Sequence, residues 1–341
     1  MPRRDELAQH SCFEACVLHG SEATPNSAVA KSATLAGMRT PTPLPPALAK
    51  APFSVQKSDA FGIARGRLRA RDLTATFHGV RVPVALLEAA TTERKFAILC
   101  DAYRAKLPKG WFFSSVTAAR ILGIPVPLRH ERLEVHVSAP VPKLRPRGKF
   151  VHGHSAPGAS TRNFNGHEVR EPAELWCELA TVLTVDELIQ AGDRIICDKP
   201  VLLAARARLE AAVRAHGSRP GARSLREALP QLRENVWSPK ETWVRLVLLR
   251  AGLPEPARNQ NILDRQGRLV AIGDLVYERY RTLVEYEGER WHADDRSIID
   301  IDRYNTLSAL GWTIVRVRKH HTAQDVERMV RTALAANGWR G

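Results

Sequence analysis

A mixed α/β fold of the α+β kind is predicted by three observations. Stretches with apolar residues at helical spacing alternate with short β-branched runs along most of the chain. In the last third these fall in the order α-β-β-β-α-β-α, which packs as a small mixed sheet flanked by helices. At 341 residues the chain is also long enough for two domains and a tail, on a prior of roughly 150 residues per domain.

Charge narrows the partners. The 51 Lys and Arg against 36 Asp and Glu leave a formal +15 that no single block accounts for, which favours polyanions, nucleic acid first and an anionic membrane surface well behind. No apolar run approaches the ~20 residues that span a bilayer, so no membrane partner is expected. The five cysteines, Cys12, Cys16, Cys100, Cys177 and Cys197, are scattered without a C-x-x-C. Neither a disulfide framework nor a zinc site is indicated, and a reducing cytoplasm fits.

In chain order, residues 1–52 read as a disordered leader. They mix Ala, Ser, Thr, Pro and charge without periodicity, and the tract from Pro41 to Pro52 is too proline-rich to pack. The leader lacks the pattern of a secretory signal, and Met38 is an alternative start of translation. Residues 53–125 read as a helix-turn-helix or winged-helix-like region, with a short helical pattern closing on Leu73 and an extended FHGVRV after it. Arg65, Arg67, Arg69 and Arg71 crowd this piece, either to hold DNA phosphates or as solvated charge on a small helical face. Phe96, Leu99, Cys100 and Tyr103 then mark the apolar stripe of a helix from Thr92 to Lys106. Ser114 or Ser115 caps a further helix that stops at Gly123.

Residues 126–235 read as a mixed α/β middle region. LEVHVS (Leu133 to Ser138) and KFVHGH (Lys149 to His154) are strands, Pro172 to Ala191 is one helix or two, and Lys199 to Leu232 is a basic amphipathic run. His136, His152 and His154 read as polar strand residues rather than ligands, because no acid or Cys sits at chelating spacing.

Residues 236–341 form the last domain. Ser238-Pro-Lys-Glu241 is a capping box opening the helix TWVRLVLLRAG. Two extended arms joined by the turn DRQG follow, then a helix from Asp294 to Leu310, the strand WTIVRVRK and a helix from Ala323 to Ala336. Within this domain, VAIGDLV and TLVEYEG read as a hairpin. A turn centred on Arg279 and Tyr280 sets Asp274 opposite Glu285, and strand alternation puts Glu287 on the same face. Carboxylates so close repel one another unless a cation or strong donor compensates. Mg²⁺ or Mn²⁺ suits that oxygen set; a solvated edge hairpin is the alternative. Arg316 and Arg318 alternate with Val315 and Val317 on the last strand, where they are candidates for binding DNA phosphate.

The stretches SPKETWVRLVLLRAGLPEPARNQNI, GDLVYERYRTLVEYEGERWH and DRYNTLSALGWTIVRVR resemble the PD-(D/E)XK nuclease superfamily, in the group related to very-short-patch-repair endonucleases. FGIARGRLRARDLTATFHGVRVP and SSVTAARILGIPVP look like the N-terminal region of AbiEi-type antitoxins or transcriptional regulators. The first resemblance implies a restriction-endonuclease-like core with Glu241, Asp274 and Glu285 organising metal. The chain departs from the family at the third motif, where Glu285-Tyr286-Glu287 stands in place of Glu-x-Lys. The group that activates water or offsets charge must then come from elsewhere, and His292 and Arg303 are the candidates. His292 is alternatively a surface residue beside Trp291, and Arg303 alternatively pairs with Asp300. The expected function is metal-dependent hydrolysis of DNA; the alternative is a non-enzymatic DNA-binding regulator with a degenerate nuclease fold.

Overall fold

A computed structural model describes residues 41–88, 90–287 and 296–341. His292, the start of the helix expected from Asp294 and the leader up to residue 40 lie outside the described residues. The fold is mixed α/β, with three small sheets flanked by helices. It divides into two compact units, one reaching Leu122 and continuing over Pro127–Glu171, the other comprising Gly123–Val126 and Pro172–Gly341.

The first unit opens with a correction to the leader. Pro46–Ala49 is a short helix, α1, with proline at its start, where a fixed φ and a missing N–H cost nothing. Its Leu48 is fully buried with Phe53, Leu68 and Leu73, and Leu44 packs alongside. Proline richness did not prevent packing, because Leu48 and Leu44 find apolar partners in Phe53, Leu68 and Leu73.

The helix expected to close on Leu73 also breaks early. It is observed as α2 (Val55–Asp59) and a 3₁₀ turn over Arg67–Arg69, while Leu73 lies in a strand. Gly62, at φ +65°, supplies the left-handed conformation that ends the first turn. Strands β1 (Phe53–Ser54), β2 (Leu73–Thr74) and β3 (Val80–Pro83) make a sheet in the order β1-β3-β2. After α3 (Ala85–Glu88), helix α4 (Thr92–Arg104) is capped by Thr91 and buries the expected Phe96, Leu99, Cys100 and Tyr103. Ser114 precedes α5 (Ser115–Ile121). Strands β4 (Phe112–Phe113), β5 (Val135–Ala139), β6 (Val151–Ser155), β7 (Thr161–Phe164) and β8 (His167–Arg170) form a second sheet, ordered β6-β5-β4-β8-β7.

The second unit begins with four helices, α6 (Pro172–Leu179), α7 (Val185–Ile196), α8 (Arg206–His216) and α9 (Ala222–Ala228). They lead into α10 (Pro239–Arg250), β9 (Ala257–Leu263), β10 (Leu269–Tyr277), β11 (Thr282–Glu287), α11 (Arg296–Ala309), β12 (Thr313–Arg318) and α12 (Ala323–Ala336). The sheet runs β12-β11-β10-β9, antiparallel except for β11 and β12. Val315 and Val317 enter the core with Val244, Leu248, Val326 and Val330, while Trp312 and Ile314 pack on the opposite face with Leu283 and Leu307.

The middle region therefore divides: its strands belong with the first unit and its helices with the second. Asp193 of α7 shows why the helices go that way. Its carboxylate, 1% exposed, accepts from the Arg233 backbone N–H (2.6 Å), the Thr242 hydroxyl (2.9 Å) and the fully buried Arg245 guanidinium (3.0 Å). Arg245 Nη2 also donates to the Gln231 carbonyl (3.0 Å), while its Nε and Nη1 are buried without a hydrogen bond among the described residues, so the pair leans on Asp193.

Candidate active site

The β10–β11 ladder pairs Leu275 with Val284, Val276 with Leu283 and Tyr277 with Thr282. This is the register expected from the sequence, and it carries Asp274 toward Glu285. The turn is a 3₁₀ piece over Glu278–Tyr280 closed by Arg281 in the left-handed region. Gly273, next to Asp274, is closely packed: a Cβ there would lie 2.5 Å from Leu283 Cδ1 and 2.7 Å from Val276 Cγ2, so those side chains would have to shift. That close approach settles the strand beneath the acid.

Asp274 is half-buried and accepts from the Tyr286 backbone N–H at 3.0 Å through Oδ2. Burial pushes its carboxyl up to about 6, with the charge of Glu241 acting the same way and Arg303 opposing. Glu285 is buried on β11. Its Oε1 accepts from Arg303 (2.7 Å) and its Oε2 from the Tyr304 hydroxyl (2.8 Å), both on α11. Burial raises the Glu285 carboxyl, while Tyr304 and Arg303 pull it down. Arg303 thus reaches the acids.

Glu241 has a different environment from the expected capping box. Ser238 Oγ accepts from the Glu241 N–H at 3.2 Å as expected, but the reciprocal bond goes one residue further back. Glu241 Oε2 accepts from Trp237 N–H (2.9 Å) and from the Asn259 side-chain amide (2.7 Å). The carboxylate is buried and aligned by these donors rather than by the cap alone.

Glu287 faces arginines. In the parallel pairing of β11 with β12, Glu285 stands beside Arg316 and Glu287 beside Arg318. Glu287 Oε1 is 3.2 Å from Arg316 and Oε2 2.8 Å from Arg318, and the Arg316 guanidinium lies 3.8 Å over the Tyr304 ring. Both carboxylate oxygens of Glu285 and of Glu287 are engaged. Asp274 Oδ1 and Glu241 Oε1 carry no hydrogen bond among the described residues, and the charge of Glu241 acts on the Asp274 carboxyl. The free oxygens of Asp274 and Glu241 are hard donors of the kind that Mg²⁺ or Mn²⁺ takes, but Glu241, Asp274 and Glu285 do not bring three ligand atoms within 4.8 Å of one another. Glu287 fits less well, since a cation there would displace two guanidinium groups.

On the first unit, Arg67 is committed to structure. It forms a two-pronged pair with Asp72 (2.8 and 2.6 Å) and donates to the Thr42 carbonyl. Arg65 and Arg69 remain exposed.

Sequence reasoning missed one cluster on this unit. The expectation that no acid stands at chelating distance from the strand histidines is overturned by Glu134, whose Oε2 lies 2.8 Å from His152 Nε2. Glu134, His136 and His152 each place a ligand atom within 4.8 Å of the others'. His136 Nδ1 is also 3.0 Å from His154 Nε2. The signal was Glu134-x-His136 at the entry to one strand and His152-x-His154 on another; parallel pairing of those strands was the missing step.

No family profile matches the chain. It is similar to two uncharacterized proteins of Mycobacterium tuberculosis, MT2308 from strain CDC 1551 / Oshkosh and Rv2248 from strain ATCC 25618 / H37Rv. Each is 29% identical over 203 residues, 59% of this chain and 72% of the relative. No solved structure matches. Among the described residues no helix is long and apolar enough to cross a membrane.

Proposed function

We propose that the second unit is a metal-dependent nuclease acting on DNA phosphodiester bonds. The observation that carries this reading is Asp274, a half-buried carboxyl pushed up to about 6 by burial and by Glu241, in a basic chain. Such a perturbed acid beside other acids is a functional-site signal. Asp274 and Glu241 would hold Mg²⁺ or Mn²⁺ with Glu285 beside them. The bound ion would polarise the phosphate and lower the pKa of the attacking water. Water oxygen forms the new bond to phosphorus, the ester P–O bond breaks, and the proton that water releases ends on the leaving oxygen. Arg303 and Tyr304 hold Glu285 in place, and Arg303 and Arg316 put positive charge beside the acids in the absence of the family's lysine. His292 remains the candidate for proton transfer.

A second reading, a DNA-binding regulator without activity, is favoured by one observation. Glu285 and Glu287 are already compensated by Arg303, Arg316 and Arg318, so these two acids need no cation. Plasmid nicking with Mg²⁺ or Mn²⁺ against chelator, beside a DNA-binding titration, separates the two. Metal-dependent nicking lost in Asp274→Asn supports the nuclease; DNA binding without nicking in any metal supports the regulator.

A further inference from the structure

We propose that Glu134, His136 and His152 form a binding site for a divalent transition-metal ion of the zinc class on the first unit, separate from the acids of the second.

The site follows from the sheet. Glu134 immediately precedes β5, and its carboxylate lies with His136 and His152 within 4.8 Å; side chains alternate along a strand, so His152 and His154 share one face of the neighbouring β6. β5 and β6 pair in parallel with His136 beside His152 and Ser138 beside His154. The result is a compact patch of one carboxylate and three imidazoles. The His136 ring lies 4.8 Å from that of His152 and 5.3 Å from that of His154, with interplanar angles of 18° and 15°.

Both strands are anchored from behind. The His136 backbone N–H donates to Thr117 Oγ1 (2.8 Å), and its carbonyl accepts from Ser114 N–H (3.0 Å). Between the two histidines of β6, Gly153 lies against the loop at Pro146: a Cβ there would come within 1.8 Å of the Pro146 carbonyl oxygen. That loop occupies the opposite side of the strand and keeps His152 and His154 on the patch side.

The chemistry of the donors selects the ion. Two imidazole nitrogens and a carboxylate oxygen suit zinc and its first-row neighbours rather than Mg²⁺ or Ca²⁺. Around a tetrahedral zinc with bonds of about 2.0–2.1 Å, donor atoms stand roughly 3.4 Å apart, within the 4.8 Å spread of the three atoms here. His152 and Glu134 lie at hydrogen-bond distance, so one proton holds the place that an ion would take. His154, against the other side of His136, sets which His136 nitrogen carries a proton, as outer partners of metal-bound histidines do. His130 adds a further imidazole, whose Nε2 is buried without a hydrogen-bond partner among the described residues. Three protein ligands with His152 exposed leave a fourth position for water.

The test uses the untagged full chain, stripped with chelator, titrated calorimetrically with Zn²⁺ and spectroscopically with Co²⁺. One equivalent of Zn²⁺ should bind, and Co²⁺ should give the visible absorption of a low-coordinate nitrogen and oxygen site. His152→Ala, at an exposed position that folding does not need, and Glu134→Gln should each weaken binding at least tenfold. Asp274→Asn should leave it unchanged, which separates this site from the nuclease reading. Absence of Zn²⁺ binding, or binding that both first-unit variants retain, overturns the proposal.

Discussion

Replacing Asp274 with Asn removes a charge and keeps an acceptor for the Tyr286 N–H. In the folded chain the carboxyl sits at about 6, against an ordinary value of 3.8. The folded state therefore holds a proton that the unfolded state releases between these values, so wild-type stability falls as pH rises through that window. Two pH units correspond to about 3 kcal/mol at 1.36 kcal/mol per unit, and solvent screening at a half-buried position brings this to about 2 kcal/mol. Asp274→Asn should match wild type near pH 4 and exceed it by about 2 kcal/mol above pH 7, without metal. Burial sets this window first, opposed by the Tyr286 backbone N–H, with Glu241 from α10 raising the carboxyl and Arg303 from α11 lowering it. Urea denaturation at several pH values, in chelator and in Mg²⁺, measures the difference. If the acids hold the ion, Mg²⁺ stabilises wild type by linkage and closes the gap. A gap that is independent of pH, or a variant less stable than wild type at pH 8, would refute the electrostatic reasoning.

Three other variants bear on the site and its surroundings. Glu241→Gln keeps an oxygen for Trp237 and Asn259, so its stability should stay within about 1 kcal/mol of wild type while Mg²⁺-dependent nicking is lost; thermal melts beside the nicking assay decide this, and retained nicking excludes Glu241 from the site. Arg316→Ala with Arg318→Ala should lower DNA affinity and reduce the salt slope of log K by about 0.9 for each phosphate that the arginines no longer neutralise; unchanged affinity and slope would leave these residues as partners of Glu287 alone. Asp193→Asn strands the Arg245 charge in the core and should cost about 3–5 kcal/mol in urea denaturation, whereas a loss under 1 kcal/mol would mean that the pair contributes little.

Local pattern exposed the hairpin well. Alternation and a short polar turn were enough to set the β10–β11 register, because a one-residue slip would turn every apolar side chain outward. The last helix, Ala323–Ala336, was equally plain from its apolar stripe. Partners contributed by distant strands were harder to see. Glu287 has the same alternation as Glu285, but its pairing with Arg316 and Arg318 depends on a parallel neighbour joined through a helix. The proximity of Glu134 to His152 was hidden for the same reason, since parallel register across a loop leaves no local mark. Proline content misled at Leu48, where burial of a single leucine outweighed composition.

The knot at Asp193 bears on how the protein can be cut. A fragment starting at residue 236 would retain Arg245 and Thr242 but discard the acid that joins them and the Arg233 amide that completes its coordination. Its core would open onto Arg245 with Glu255, 3.8 Å away, as the nearest remaining acid, and expression of such a piece should yield aggregated or molten material. A cut before Pro172 keeps the carboxylate with its three donors, so the helical segment behaves as a foundation of the sheet-bearing part of the second unit rather than a tether to it.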